Sequence, residues 1–146
     1  MLTANQVCTF YLEKQMYGVD VQSVQEVIRY QDMTDVPLAP DSVVGLINLR
    51  GQIVTAIDLR KRLGLKPRPD GQLPMNVVIQ SNDEAISLLV DQIGDVQEFD
   101  SADFEMPPET VQGVSRSMIK GAYKMRERLL LILDTERALA INPAND

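Results

Sequence analysis

The sequence predicts an all-β protein with short helices, arranged as small barrels or a sandwich. Most apolar residues stand in short runs of strand length, and polar turn-forming residues separate these runs. The clearest runs outside the central hairpin are 7–12, 16–19, 77–80 and 85–90. A repeat of three sequence blocks and two predicted helix caps support the same fold class.

The chain is expected to contain little helix. One helical turn is predicted after Asp20, with Val21 and Val24 facing inward. The chain then extends again through residues 26–30, which predicts a further strand.

The segment Gly45–Leu65 gives the strongest local signals. Apolar strand-like runs flank Arg50-Gly51, and Gly51 can adopt the positive φ that a tight hairpin needs. Asp58 is a predicted N-cap, because its carboxylate can accept hydrogen bonds from the free N–H groups of a following helical turn. Gly64 is placed to end that turn. The sequence therefore predicts strand, turn, strand and short helix, with an exposed Arg50 at the tip.

The second half of the chain is predicted to resume the strand pattern. Residues 66–74 contain three prolines and a glycine, so they predict a connector. The charged stretch Lys120 to Arg128 is expected to form a loop ahead of a strand at 129–133. A short helix is predicted at 135–141.

Three blocks of sequence recur in the same order. Pro40–Gly45 returns as Pro108–Gly113 in the pattern Pro, acid, hydroxyl, Val, any residue, Gly, and Asp58–Leu63 is echoed by Asp134–Leu139. The third block repeats spaced apolar positions: Val21, Val24 and Val27, then Val90, Ile93 and Val96. This order indicates that the protein has two similar halves.

Length and charge restrict the class of protein. The 146 residues suffice for one domain, or for two small lobes that share a core. A net charge of −7 argues against a general phosphate-binding surface, so no nucleic-acid partner is expected. The basic cluster Arg60-Lys61-Arg62, which continues to Lys66 and Arg68, is therefore predicted to be the solvated face of the short helix.

Residue usage also predicts the location of the protein. No apolar run approaches the roughly 20 residues of a membrane helix, and the N-terminus lacks the pattern of a secretion signal. The single cysteine, Cys8, lies in an apolar run, where a packing role is expected. We therefore expect a cytoplasmic protein that does not insert into a membrane.

The usual catalytic and metal-binding patterns are missing from the sequence. Histidine is absent, and one cysteine cannot form a zinc cluster. The acidic run from Asp95 to Glu105 lacks the spacing and central glycine of a calcium loop. We expect no metal, no cofactor and no catalysis, with a hydrolase that uses Glu26 or Asp91 as the enzymatic alternative.

In combination, the motifs resemble the CheW family, the coupling proteins of bacterial chemotaxis arrays. The specific pair is Gly-Val-Asp…Val-Gln-Glu followed by Asn-Leu-Arg-Gly…Asp-Leu-Arg, and the similarity extends from about Val7 to Leu139. The matching segments are Tyr17–Val27, Pro40–Gly45, Gly45–Arg60 and, more loosely, Leu88–Asp91 and Glu127–Leu133.

This resemblance implies a fold of two SH3-like five-stranded β-barrel lobes packed around a shared hydrophobic core. We expect one CheW-like domain over residues 1–146, with the first lobe at 13–66 and the second lobe at 67–146. The strand at 7–12 could join either lobe.

The resemblance also implies a function. CheW-like proteins are non-catalytic adaptors that link chemoreceptor cytoplasmic tips to the histidine kinase CheA, whose regulatory domain has the same fold. Two alternatives remain open. One is a CheW-like adaptor of a pilus or developmental pathway, and the other is a hydrolase or small-ligand binder that uses the groove between the lobes.

The kinase-binding residues implied by the resemblance are Val24, Glu26 and Arg50, with Arg50 paired to Glu26. A guanidinium that is already held by a carboxylate loses less freedom on binding than a free side chain. The structural alternatives are that the pair holds the hairpin against the preceding strand, and that Val24 packs in the core beside Val21 and Val27.

A second site implied by the resemblance is a groove between the lobes that receives the helical receptor tip. Gly45 and Val77 match positions of this receptor-binding groove, and Ser87 occupies a site where the family often has glycine. The structural alternative for Gly45 is a bend where no Cβ fits.

Overall fold

The structure, a computed structural model, describes residues 4–81, 83–111 and 113–140, and ten strands with three short helices make up its regular elements. The strands are β1 (Ala4–Leu12), β2 (Gln15–Asp20), β3 (Val24–Ile28), β4 (Val43–Leu49), β5 (Gln52–Asp58), β6 (Met75–Ser81), β7 (Glu84–Val90), β8 (Gln92–Asp100), β9 (Ile119–Lys124) and β10 (Leu129–Leu133). The helices are α1 (Leu59–Arg62), α2 (Val114–Met118) and α3 (Thr135–Leu139), and 3₁₀ turns lie at Val21–Ser23 and Ser101–Asp103. The predicted end of the last helix, residue 141, lies outside the described residues.

The strands form two five-stranded sheets. The terminal sheet, named because it contains the first strand and the last strand, has the order β8-β1-β2-β10-β9, and the central sheet has the order β3-β6-β7-β5-β4. Neighbouring strands are antiparallel except for β2 with β10 and β5 with β7, which are parallel. The predicted all-β class with short helices is confirmed. No helix among the described residues is long and apolar enough to cross a membrane.

Both sheets curl towards a barrel. After β3, Thr34 exchanges backbone hydrogen bonds with Leu46 of β4 at 2.8 Å, and β3 and β4 are the two edges of the central sheet. After β8, Glu105 exchanges bonds with Ala122 of β9 at 2.8 and 2.9 Å. In each sheet the segment that leaves one edge strand therefore bonds to the opposite edge.

The sheets do not follow the predicted division at residue 66. The β1–β2 hairpin pairs with β8 and β10, so the open question about strand 7–12 is answered by its place in the terminal sheet. The β6–β7 hairpin, expected in the second lobe, pairs instead with β3 and β5 of the central sheet. The first hairpin of each half therefore joins the sheet whose other three strands come from the other half. Sequence similarity between the halves carries no information about this exchange, because strand partners are chosen by long-range packing.

The internal repeat is visible in backbone hydrogen bonds. The Asp58 N–H donates to the Ser42 carbonyl at 2.8 Å, and the Asp134 N–H donates to the Met118 carbonyl at 2.7 Å. Asp58 and Asp134 then cap α1 and α3 through their side chains, as the sequence predicted. The two halves therefore use the same local device to end a hairpin and begin a helix.

The structure corrects one part of the sequence alignment between the halves. Gly45 lies within β4, whereas Gly113 is the N-cap of α2, a helix that precedes β9. The structural counterpart of Gly45 is Gly121 in β9, because Gly45 stands as far from Asp58 as Gly121 from Asp134. The inserted helix shifts the match, and the charged stretch from Lys120 is mostly strand, with only residues 125–128 in the turn.

Three clusters of buried side chains hold the sheets together. The largest lies between the sheets and takes Phe10 and Val19 from the terminal sheet and Ile57 and Leu88 from the central sheet. It is the shared core that was predicted. Two smaller clusters each take their buried side chains from one sheet, the central sheet in one case and the terminal sheet in the other. Burying one such side chain contributes about 1.5–3 kcal/mol, so the sheets stabilise each other through this common layer.

Candidate functional site

Arg50 lies at the tip of a tight hairpin between β4 and β5. Its φ is 52° and that of Gly51 is 87°, and positive φ at both central residues is typical of hairpin turns whose twist matches the strands. The Asn48 side-chain oxygen accepts a hydrogen bond from the Gly51 N–H at 2.9 Å. Asn48 and Gly51 together therefore hold Arg50 in a backbone conformation that non-glycine residues seldom adopt.

Glu26 reaches the same point from the opposite edge of the central sheet. It lies on β3, next to an irregularity in the pairing of β3 with β6, and its carboxylate accepts a hydrogen bond from Arg50 Nη2. The Glu26 side chain is 21% exposed and the Arg50 side chain is 69% exposed. The pair predicted from the resemblance thus exists, and it ties the two edges of the curled sheet while leaving most of the guanidinium in solvent.

Val24 lies two residues before Glu26 and is half-buried against the shared core. The structure therefore supports the packing alternative for this residue. The spacing of Val21, Val24 and Val27 predicts a core position for Val27, yet Val27 is 44% exposed. Ile53 on β5 is 61% exposed. The error has a physical reason: β3 is an edge strand, so a residue that alternation assigns inward still has solvent on one side.

Gly45 and Ser87 lie in one row across the central sheet. Ala56 of β5 stands opposite Gly45 on one side and opposite Ser87 on the other, and the row continues through Val78. A Cβ at Gly45 would stand 2.8 Å from the Thr34 carbonyl oxygen, so the close approach of that segment requires glycine.

The three residues predicted for a receptor groove are all buried. Ser87 is fully buried and its hydroxyl donates to the Asn76 side-chain oxygen at 2.7 Å. Val77 is 1% exposed and belongs to the shared core, on the other face of the sheet from Ser87. In this structure these residues shape the sheet from within and present no surface of their own to a partner.

A buried cluster of charges, which the sequence did not predict, lies where the chain crosses between the sheets. Asp91, between β7 and β8, accepts hydrogen bonds at Oδ1 from Arg60 Nε and Arg68 Nε, both at 2.9 Å. Its Oδ2 accepts from Arg60 Nη2 and, at 2.7 Å, from the Glu13 N–H in the β1–β2 turn. Asp58 adds an ion pair to Arg68 at 3.4 Å. These five residues form the Asp91 cluster.

The Asp91 carboxylate is held in its charged form. Burial alone would raise the pKa of Asp91, but the hydrogen bonds from Arg60, the Glu13 N–H and Arg68 outweigh it and leave the pKa below its ordinary value. The bond to Asp91 in turn raises the pKa of Arg60. Asp91 therefore supplies the counter-charge that Arg60 and Arg68 share, and these bonds hold α1 and the connector against the crossover between the sheets.

The basic stretch of α1 is not the solvated face that the sequence predicted. Arg60 is 5% exposed, Arg62 is half-buried, and only Lys61 of the three residues is exposed. Arg62 donates to the carbonyls of Ala138 at 3.0 Å and Ala140 at 2.6 Å, beside α3. Residues so far apart in sequence carry no local signal of these contacts, which explains the wrong prediction.

The geometry offers little to the enzymatic alternative. Glu26 and Asp91, the carboxylates considered for a hydrolase, are both engaged by arginine. Two open clefts of about 340 and 360 Å³ flank Tyr123 on the terminal sheet, away from both residues. Among the described residues, no group of three or more metal-ligating side chains is assembled.

Comparisons with known proteins give a consistent result. The CheW-like domain model matches residues 6–141. A chemotaxis protein CheW of Treponema pallidum (strain Nichols) is 30% identical over 136 residues, covering 90% of this chain and 80% of the relative. A chemotaxis protein CheW of Bacillus subtilis (strain 168) is 31% identical over 137 residues, covering 94% and 88%.

The solved structures include a close match in fold. The scaffolding protein TtCheW from Thermoanaerobacter tengcongensis superimposes with a TM-score of 0.86 at 27% identity, covering 97% of this chain and 96% of that one. The exchanged hairpins, the shared core and the match over nearly the whole chain lead to one conclusion: this chain belongs to the CheW-like domain family.

Proposed function

We propose that this protein is a chemotaxis adaptor that couples chemoreceptor cytoplasmic tips to a CheA-type histidine kinase. It acts in the cytoplasm, at the inner face of the membrane through the receptors, and catalyses no reaction itself. Membership of the CheW-like family and the names of its relatives support this role.

The observation that carries the proposal is the Glu26–Arg50 pair at the tip of the central sheet. The pair fixes an arginine in place, yet 69% of that side chain remains exposed. A guanidinium has five N–H donors, so one carboxylate contact leaves donors that can meet an acidic group on a kinase domain. Exposed Val27 and Ile53 supply apolar area beside the charge.

The receptor-binding part of the proposal assigns an indirect role to the predicted groove residues. Gly45, Val77 and Ser87 are buried, so they would affect a receptor helix by setting the curvature of the sheet beside the groove. Gly45 supports this reading, because any side chain there would displace the Thr34 segment.

The experiment is a calorimetric titration of an isolated CheA regulatory domain with the full chain and its variants. Glu26→Lys and Arg50→Glu are each expected to weaken binding by about tenfold to a hundredfold, the effect of losing a charged contact at an interface. Arg126→Glu, at the tip of the terminal sheet, is the matched control and should leave the affinity unchanged. If Glu26→Lys and Arg50→Glu both bound the kinase domain as tightly as the parent protein does, the proposed kinase contact would be refuted.

A pull-down with a receptor cytoplasmic fragment tests the second partner separately. The parent protein is expected to retain kinase and receptor fragments together, and Arg50→Glu should lose the kinase while keeping the receptor. Retention of neither fragment by the parent protein would contradict the adaptor role.

A further inference from the structure

One end of the terminal sheet carries an open cleft that the adaptor role does not use. The cleft has a volume of about 340 Å³ and lies where β2 ends at Asp20 and β9 begins at Ile119. This volume is at the lower end of the range for small-molecule sites. We call it the Lys120 cleft, and its walls include buried Val7, Tyr123 and Ile132 and exposed Asp20, Ser101 and Lys120.

The two halves of the protein can be matched residue by residue, so each position of the cleft has a counterpart. Counting back from the caps of α1 and α3 matches Arg50 with Arg126 at the hairpin tips. The register shifts of the edge strands β3 and β8 match Glu26 with Asp95. Matched positions therefore show which side chains one half has and the other lacks.

A β-bulge places the lysine of the cleft. Ile132 of β10 pairs with Gly121, but Leu133 pairs with Ile119, so Lys120 is the extra residue of β9. Such a bulge re-aims the side chain of the extra residue. Lys120 lines the cleft, and among the described residues its ammonium group forms no ion pair.

The central sheet has the same bulge with an apolar residue in it. The register of β4 against β5 shifts between Val43 and Gly45, so Val44 is the extra residue of β4. Val44 packs against the buried cluster of the central sheet. Lys120 therefore puts a positive charge where the other half has an apolar side chain.

Asp20 is a second charged residue at a position that is apolar in the other half. Gly18 on β2 and Ser87 on β7 are matched through their partners on β10 and β5, so Asp20 corresponds to Leu89. Leu89 is 2% exposed and belongs to the buried cluster of the central sheet, whereas Asp20 is exposed. The Asp20 Oδ1 accepts a hydrogen bond from the Gln22 N–H at 2.9 Å. Within the part of the chain that the structure describes, its carboxylate forms no ion pair.

We propose that the Lys120 cleft binds a free α-amino acid with an apolar side chain. The carboxylate of the ligand would meet Lys120, and its ammonium group would meet the Asp20 carboxylate. Its side chain would lie against Val7, Tyr123 and Ile132. This inference does not rest on the adaptor role, because none of these residues belongs to the Glu26–Arg50 edge.

The charges of the cleft favour this class of ligand. A lysine and an aspartate on the walls of one cleft complement a zwitterion, whereas a ligand with a single charge leaves one of them without a partner. The apolar wall is already formed: the Asn5 Nδ2 donates to the Tyr123 hydroxyl at 3.0 Å, and the Tyr123 ring stacks on Phe99 with centroids 4.4 Å apart. A fixed wall of this kind lowers the ordering cost of binding.

NMR titration of the isotopically labelled full chain tests the proposal, with L-leucine as the probe. Leucine is expected to shift the amide signals of Asp20 and Lys120 and to saturate at millimolar concentration or below. Three related probes each lack one feature: isoamylamine lacks the carboxylate, isocaproate lacks the ammonium group, and glycine lacks the apolar side chain. Each is expected to bind about tenfold more weakly than leucine or worse.

Two variants assign the charges of the ligand to the two wall residues. Lys120→Val, which introduces the residue of the central half, is expected to weaken leucine and isocaproate binding by about tenfold without weakening isoamylamine binding. Asp20→Asn keeps an oxygen for the Gln22 N–H, and it should weaken leucine and isoamylamine binding without weakening isocaproate binding. Lys61→Val makes the same change at an exposed lysine of α1, outside the cleft, and should leave every affinity unchanged.

Three outcomes would overturn the proposal. The first is a parent protein whose signals at the cleft show no saturable shift with leucine. The second is equal affinity for leucine and for the probes that lack one of its charges, and the third is an equal loss of leucine binding in Lys120→Val and Lys61→Val. The series of probes needs only the parent protein, so it decides the question even if thermal unfolding shows that a variant is poorly folded.

Discussion

The two hairpin tips show how one residue redirects an arginine. At the tip of the central sheet, Arg50 precedes a glycine, both residues have positive φ, and the arginine bonds to Glu26 across the sheet. At the tip of the terminal sheet, Arg126 precedes Glu127, neither φ is positive, and Asp95 stays without this partner. The same arrangement of strands therefore holds an arginine against a carboxylate in one half and leaves the equivalent arginine without that contact in the other.

The crossovers between the sheets differ in a second way. The chain passes from β7 to β8 at Asp91, where the buried Asp91 cluster joins Arg60 and Arg68. The equivalent passage from β2 to β3 holds Gln22, an exposed residue in the 3₁₀ turn that Asp20 caps. The two halves thus share a strand plan, and within the described part of the chain a buried charge cluster lies at only one of the two crossovers.

The largest effect on stability is expected from a substitution that disrupts the Asp91 cluster. In Asp91→Asn two buried guanidinium groups lose their shared counter-charge, which is expected to lower the free energy of unfolding by about 3 kcal/mol. Gln22→Ala, at the equivalent exposed position, is expected to stay within about 0.5 kcal/mol of the parent protein. Urea unfolding followed by circular dichroism measures both. Similar losses in the two variants would show that the crossovers are energetically alike.

The pH dependence of stability isolates the same carboxylate with a smaller effect. Because the folded-state pKa of Asp91 is lowered, its contribution is fully present above the unfolded-state value of about 3.9. The contribution is lost as the pH falls through that value towards the folded-state pKa. Urea unfolding at pH values from about 6 to 3 should therefore show a steeper loss of stability on acidification in the parent protein than in Asp91→Asn. If the stability of the parent protein and that of Asp91→Asn fell equally with pH, Asp91 would not be the carboxylate responsible for this pH dependence.

The features that were predictable from sequence are local ones. The caps at Asp58 and Asp134 and the tight turn at Gly51 depend on residues within a few positions of one another, so their chemistry is readable in the chain. The Glu26–Arg50 contact is predicted only by the family resemblance, because no local sequence pattern indicates which residues meet across the two edges of a curled sheet.

The features that escaped prediction depend on long-range pairing. The exchange of the β6–β7 hairpin into the central sheet decides which side chains become buried, and it leaves no trace in hydrophobic periodicity. Arg60 is an example: its position in a basic helical stretch indicates exposure, yet the guanidinium is buried against Asp91, the residue that follows that hairpin. The prediction for Val27 fails in the opposite direction. Val27 is predicted to be buried but is exposed, because β3 is an edge strand.

The smallest of these effects tests the difference between the tips directly. Gly51→Ala is expected to lower the free energy of unfolding by about 1 kcal/mol, because a Cβ is strained at a φ of 87°. Glu127→Ala, at the equivalent residue of the second tip, should change it by less than about 0.5 kcal/mol, since its φ is not positive. Gly51→Asn should recover most of the loss, because asparagine tolerates the left-handed conformation. Equal losses at the two tips, or no recovery with asparagine, would mean that the backbone conformation of this turn is not what holds Arg50 against Glu26. The hydrogen bond that the Asn48 side-chain oxygen accepts from the residue 51 N–H would then be the better explanation.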